Sequence, residues 1–260
     1  MRKSGAICRI FYFYTMENQK LFGLVGRNIA YSFSRAYFTE KFSRPGLDCR
    51  YENFDIADIS GFPKIISNNA NLKGVNVTIP YKESIIPYVD ELSETAKKIG
   101  AVNTISINNG KLTGHNTDYY GFQKSLVPQL QPHHKKALIL GTGGASKAVA
   151  FALATLNIPY QFISRNEGIN TIGYDDINEK TFQEFQIIIN TTPLGTFPNT
   201  DVCPDIPYEY FTAKHIAYDL IYNPEETLFL KKAKSHNAIT KNGMEMLQLQ
   251  AEKAWEIWNS

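Results

Sequence analysis

Leu138-Ile139-Leu140-Gly141-Thr142-Gly143-Gly144-Ala145-Ser146 decides the fold. An apolar run without polar alternation reads as a strand buried on both faces, as in a parallel sheet. A glycine-rich turn follows, then a segment of small residues that fits a helix to about Leu156. Gly141 permits the tight turn off the strand. Gly143, lacking a Cβ, lets the backbone approach a pyrophosphate, which the helix N-terminus then stabilises. Gly144 and Ala145 carry the turn into the helix, and Ser146 stands where the usual pattern has its third glycine. Strand, turn and helix in this order predict a dinucleotide-binding unit.

Moving toward the C-terminus, the next strand reads Tyr160–Ser164 and ends in Ser164-Arg165-Asn166. Sites for NAD place an acid about 20 residues beyond the glycine turn, to hold the ribose 2′-hydroxyl. Arg165 occupies that place, and a guanidinium suits a 2′-phosphate. Ser164 and Asn166 add hydrogen-bonding groups. The cofactor expected is therefore NADP. A further buried strand, Ile187–Asn190, leads into Thr191-Thr192-Pro193-Leu194-Gly195. This puts Thr191 at the C-terminal sheet edge, where open α/β sheets bind ligands. Ile216–Leu220 reads as another strand, and helices fit Glu226–Ser235 and Met244–Trp258.

Toward the N-terminus the alternation continues. Strands fit Leu21–Gly26, Arg50–Phe54 and Gly74–Thr78, and Val102–Ile107 and Lys111–His115 flank an Asn109-Gly110 hairpin turn. Ser34 is placed to cap a helix through about Phe42, and Asp58 to cap the helix after the second strand. Further helices fit Lys82–Asp90, Ser93–Ile99 and Asp118–Leu130. Strand alternating with helix throughout predicts an α/β protein with largely parallel sheets.

The composition excludes other classes. The chain has 260 residues, 27 Lys+Arg against 25 Asp+Glu, and 43% hydrophobic residues. It is too apolar and too weakly charged to be disordered, and too near neutrality to advertise a nucleic-acid or anionic-lipid surface. No apolar run approaches the roughly 20 residues of a membrane span. Cys8, Cys49 and Cys203 are odd in number and scattered, and the five histidines form no HxxxH pair. A disulfide framework and a zinc site are not expected, and a reducing compartment is. Residues 1–15 carry Arg2, Lys3 and Arg9 and no acid. Arg9 interrupts their apolar run and no small-residue cleavage site follows, so we read them as an upstream extension, with Met16 as the working start.

Four polar clusters at strand ends resist a core or surface explanation. They are Ser32-Phe33-Ser34, Asn76-Val77-Thr78 with Lys82, Asn103-Thr104, and Asn116-Thr117-Asp118. Hydroxyls, amides, one lysine and one aspartate suit a small polyhydroxylated ligand. With their flanks, these clusters resemble the shikimate dehydrogenase family. The matching motifs are GVNVTIPYK at 74–82, GAVNT at 100–104, GHNTDYYGF at 114–122, LGTGGASKA at 140–148, NTTPLGT at 190–196, DLIYNPEETLFLKKA at 219–233 and NGMEMLQLQA at 242–251. They keep the family's order and spacing from about Leu21 to Trp258.

The resemblance implies a substrate domain over 16–117 and 243–260 and a Rossmann-like NADP-binding domain over 118–242, with a deep cleft between them. It implies NADPH-dependent reduction of 3-dehydroshikimate to shikimate, toward chorismate and the aromatic amino acids, by a cytoplasmic monomer or homodimer. By matched position, Ser32 and Ser34 are expected at the substrate carboxylate and Asn76, Thr78, Asn103 and Gln250 at its hydroxyls. Lys82 and Asp118 are expected as the catalytic pair, Tyr222 beside the substrate and Gly243 beside the nicotinamide. Around the two serines the chain departs from the family, with Tyr31, Arg35, Phe38 and Thr39, and no second basic residue follows Arg165 in its loop. Alternatives in view are a quinate/shikimate dehydrogenase of the same fold and a non-catalytic NADP or metabolite sensor. Retention of both Lys82 and Asp118 argues against the sensor.

Overall fold

A computed structural model of the chain describes residues 19–30, 32–166, 168 and 170–260. The extension expected over 1–15 lies outside these residues. The elements in chain order are β1 (Lys20–Gly26), α1 (Phe33–Phe42), β2 (Cys49–Asp55), α2 (Phe62–Asn68), β3 (Leu72–Val77), β4 (Glu91–Leu92), α3 (Glu94–Ile99), β5 (Thr104–Asn108) and β6 (Lys111–His115). They continue with α4 (Asp118–Leu126), β7 (Ala137–Leu140), α5 (Gly144–Thr155), β8 (Tyr160–Ile163), β9 (Thr171–Ile172), α6 (Glu179–Glu184), β10 (Ile187–Asn190), β11 (Ile216–Asp219), α7 (Leu228–Ser235), β12 (Ile239–Lys241) and α8 (Met244–Trp258).

The first compact unit takes the described residues up to Lys97, then Val102–Asn116 and Ala254–Ser260. Its six-stranded sheet runs β2-β1-β3-β5-β6-β4. β1 is parallel to β2 and β3, whereas β5 is antiparallel to β3 and β6. Successive side chains of a strand alternate between faces, and each face has its own cover. On one lie Leu21, Val25, Val75, Val77 and Ile105, packed with Phe62, Ile65 and Ile85. On the other, Phe22 packs with Phe42 and with Trp255 and Trp258 from the end of α8. The Trp258 ring lies directly on Gly74, where a Cβ would fall 2.2 Å from its Nε1. That Nε1 donates to the main-chain oxygen of Ile105 at 3.0 Å.

The second unit takes Lys98–Ala101 and the described residues of Thr117–Lys253. Its sheet runs β12-β11-β10-β7-β8-β9, and every recorded pairing in it is parallel. Numbered from β7 as the first strand, this is the doubly wound 3-2-1-4-5-6 order of dinucleotide-binding sheets. β7 and β10 are wholly buried, as the unbroken apolar sequence of β7 and the Ile187–Ile189 run of β10 require.

Several local expectations need correction. Helix α1 is capped by Ser32, whose Oγ accepts from the Arg35 amide, so Ser34 lies inside the first turn. The helix expected over Lys82–Asp90 is a run of turns with one 3₁₀ turn at Ile86–Tyr88, because Pro87 removes an amide a longer helix would need. Pro128 likewise ends α4 at Leu126, and Val127–Gln129 continues as a 3₁₀ turn. The short strands β4, β9 and β12 were not expected, being two or three residues long. The expected boundary for the last helix also differs. Met244–Lys253 groups with the second unit and only Ala254–Ser260 with the first. Met246 packs in the second unit's core, while Trp255 and Trp258 belong to the aromatic cover of the first sheet.

Candidate active site

In the second unit, sheet order fixes where a ligand fits. β7 and β10 are adjacent, and the chain leaves them toward opposite sides, which opens a crevice at their C-terminal ends. Gly141 leaves β7 with φ +103°, and a Cβ there would meet the Thr191 hydroxyl at 2.9 Å. Only glycine meets both requirements. Thr191 in turn donates from its hydroxyl to the Leu140 oxygen at 2.6 Å. At Gly143 a Cβ would meet nothing within 4 Å, so open space faces the start of α5. Ser146 is buried and donates to the Gly143 oxygen at 2.6 Å, which accommodates a residue larger than the usual glycine.

A cavity of about 290 Å³ lies beside this turn, lined by Thr142, Lys147, Phe162, Ser164, Asn166, Gly168 and Thr171. Ser164 accepts from the Asn166 amide at 3.2 Å and so shapes the loop after β8. Arg165 is exposed and is not among the lining residues; its charge bears on the Tyr174 phenol, whose pKa burial raises. Lys147 was missed from sequence. Its signal was a cation early in α5, and the structure places it among the residues lining this cavity.

A buried carboxylate organises the neighbouring loops. Asp219, at the end of β11, accepts from the Thr227 hydroxyl (2.6 Å), the Ile221 amide (3.0 Å) and Asn190 Nδ2 (3.1 Å). Burial outweighs these donors and pushes its pKa up to about 6. Asn190 Oδ1 accepts from the Thr192 amide and hydroxyl, fixing the turn that carries Thr191. Thr227 caps α7. Tyr222 therefore sits in a segment tied at both ends. Gly243 comes so close to Leu220 that a Cβ would lie 2.0 Å from its carbonyl oxygen.

The second unit also holds Asp118 and Gln250. Asp118 is the buried first residue of α4, where the helix dipole favours an anion. The preceding Thr117 donates to Gln250 Oε1 at 3.3 Å, and Gln250 Nε2 donates to the Leu247 oxygen at 2.9 Å. The polar residue on an otherwise apolar helix face thus has partners within the fold. Gln250 belongs to this unit rather than to the first, contrary to the boundary expected from sequence.

The first unit gathers Ser34, Asn76 and Asn103. The Tyr51 hydroxyl donates to Asn76 Oδ1 at 2.8 Å and is also hydrogen-bonded to Ser34. Asn76 Nδ2 donates to Thr104 Oγ1 at 3.2 Å, and Thr104 donates to Asn103 Oδ1 at 3.2 Å. Thr78 follows directly on β3, its amide held by the Val25 oxygen. Lys82 is half-buried, and its carbonyl accepts from the Val102 amide at 2.7 Å, which ties it to the segment with Asn103 that leads into β5. Tyr51 was not singled out from sequence, and Thr104 only as a member of the Asn103-Thr104 cluster.

These features define a class: an α/β oxidoreductase with a dinucleotide-binding unit and a second unit rich in hydroxyl and amide groups. Residues 24–105 match the model of the shikimate dehydrogenase substrate binding domain. The chain is 37% identical over 258 residues to the shikimate dehydrogenase (NADP(+)) of Desulforamulus reducens, covering 91% of this chain and 88% of that protein. It is 39% identical over 257 residues to the shikimate dehydrogenase (NADP(+)) of Methanococcus maripaludis, covering 92% and 91%. The shikimate 5-dehydrogenase of Thermus thermophilus, solved with NADP(H) and shikimate, superposes with a TM-score of 0.81 at 31% identity, covering 92% of each chain. The chain belongs to the shikimate dehydrogenase family.

Proposed function

We propose that the chain catalyses the reversible, NADPH-dependent reduction of 3-dehydroshikimate to shikimate, on the route to chorismate and the aromatic amino acids. Family membership over nine-tenths of the sequence carries this reading, and both reactive side chains are retained in it. NADPH, when bound, supplies the hydride. Gly141, Gly143, Gly144, Ala145 and Thr191 form its turn, Ser164, Arg165 and Asn166 meet the 2′-phosphate, and Gly243 lies beside the nicotinamide. Lys147, lining the cavity beside Ser164, adds a second cation.

As the carbonyl carbon accepts hydride, its oxygen gains negative charge and then a proton. Lys82 stabilises that charge, and Lys82 with Asp118 holds and delivers the proton. Ser32 and Ser34 bind the carboxylate. Asn76, Thr78, Asn103 and Gln250 bind hydroxyls, and Tyr222 flanks the ring. The protein works in the cytoplasm on a small-molecule substrate, as a monomer or homodimer, without a nucleic-acid or membrane partner. No helix among the described residues is long and apolar enough to cross a membrane.

NADP⁺ reduction with shikimate tests the reading. Lys82→Ala and Asp118→Asn should each lose about 10²–10⁴-fold in turnover, the usual range for acid–base groups, with cofactor affinity changed only a few-fold. A wild type that binds NADP(H) but turns over neither shikimate nor quinate would sink it. Quinate turned over as fast as shikimate would favour the broader dehydrogenase. In the same assay Arg165→Asp should cut the preference for NADP over NAD by roughly 10- to 100-fold, as expected for lost charge-assisted bonds. An unchanged preference would remove Arg165 from the 2′-phosphate site.

A further inference from the structure

The face of β2 that carries Tyr51 carries two more polar side chains at the period of a strand, Asn53 and Asp55. In register they stand beside Phe22, Leu24 and Gly26 of β1. All three reach the chain beyond β1, the stretch that delivers Ser32 and Ser34 to α1. Asp55 Oδ1 accepts from the Asn28 amide at 2.9 Å, and its Oδ2 accepts from the Ile29 amide at 3.0 Å. Asn53 Nδ2 donates to the Ile29 oxygen at 2.7 Å. Tyr51 is hydrogen-bonded to Ser34.

The recorded ladders of β1 end at Gly26. Ile29 lies beyond them and is buried, and a buried peptide N–H and C=O need partners. Asp55 and Asn53 supply one each. Asn28 is left-handed, with φ +57°, a conformation that turns successive amides toward one anion. Two converging amides call for a carboxylate, since an asparagine there would set its NH₂ against one of them. The segment so held also lies against the chain bearing Thr78. A Cβ on Gly26 would fall 2.6 Å from Ile29 Cγ2 and 2.5 Å from Thr78 Cγ2.

We infer that Asp55 and Asn53 are positioning residues that set Ser32 and Ser34 for the substrate carboxylate. The inference rests on the shikimate dehydrogenase reading, which places the two serines there. Ser32 follows the Ile29 anchor by three residues and caps α1, so the turn held from β2 fixes where that helix starts. Without either anchor the start of α1 shifts, and the two hydroxyls lose the spacing the carboxylate needs. The loss falls on a contact that ground state and transition state share, so KM rises and kcat holds.

The test is steady-state kinetics with shikimate and NADP⁺ on wild type, Asp55→Asn, Asn53→Leu, Ser34→Ala and the double variant Ser34→Ala/Asp55→Asn. Asp55→Asn and Asn53→Leu should each raise KM for shikimate by roughly 5- to 30-fold, the range for one lost hydrogen-bond partner, with kcat within about threefold and KM for NADP⁺ within about twofold. Ser34→Ala should raise the same KM. The double variant should fall well short of the product of the two single losses, because residues acting through one contact are not additive. A merely structural role for Asp55 would multiply with the loss at Ser34. If wild type is active and Asp55→Asn and Asn53→Leu keep its KM, the clamp is refuted alone. It is refuted equally if the losses at Asp55 and Ser34 multiply, if kcat falls in place of KM rising, or if the losses fall equally on NADP⁺. If Ser34→Ala leaves KM unchanged, the serine assignment fails and the inference with it, while the activity stands. If wild type does not act on shikimate, the functional reading falls and the inference with it.

Discussion

Asp219 shows how one residue can hold a loop system and at the same time make stability depend on pH. Its carboxyl is wholly buried, and its pKa of about 6 lies above the ordinary 3.8. The folded state thus binds the proton more tightly than the unfolded chain. Its contribution to stability is full below pH 3.8 and is lost as pH rises through 6. The swing is on the order of 3 kcal/mol, at 1.36 kcal/mol per tenfold change in proton affinity. Asp219→Asn removes the titration. Urea unfolding of both proteins between pH 4 and 7.5 should show wild type losing stability relative to the variant as pH rises. A constant difference would mean that Asp219 keeps an ordinary pKa. Ser32 and Ser34 look equivalent in the sequence, yet the fold separates them: one caps α1 and the other meets Tyr51.

At the scale of elements, the crossing of α4 with α8 bears most on the proposed site. Both Asp118 and Gln250 depend on it. Gly121 lies where a Cβ would stand 2.4 Å from the Met246 carbonyl and 3.1 Å from the Gln250 amide. In an exposed helix, glycine to alanine is worth about 1 kcal/mol of added stability. Here the sign should reverse. Gly121→Ala should destabilise by about 1–3 kcal/mol, the usual cost of overpacking, and should lower turnover by shifting the helix that opens with Asp118. Thermal unfolding together with kcat checks this, and a more stable, fully active variant would contradict it. The expected Lys82–Asp90 helix failed at this scale too. Its periodicity fitted, but Pro87 broke the amide ladder, and Lys82 stands on a turn anchored by Val102 instead.

For the whole molecule, the sequence was most legible where a single short motif dictates local physics. Ala137–Leu140 followed by glycines gave the strand, the turn and α5 almost to the residue, because buried strands and glycine turns depend on nearest neighbours. The polar clusters gave most of the candidate site, because Asn76, Asn103 and Asp118 stand in dense, ordered motifs. What the sequence determined alone was therefore the α/β class, the family, the dinucleotide turn and the side chains expected to do the chemistry. Tertiary structure alone decided the 3-2-1-4-5-6 strand order, the division of α8, and the bonds through Tyr51, Thr104 and Asp219. It also brought Lys147 to the cavity lined by Ser164. Each of these joins residues distant in the chain, or assigns a proton by which atoms come to face each other. A one-dimensional pattern records what each residue is able to donate or accept, and packing decides to which partner.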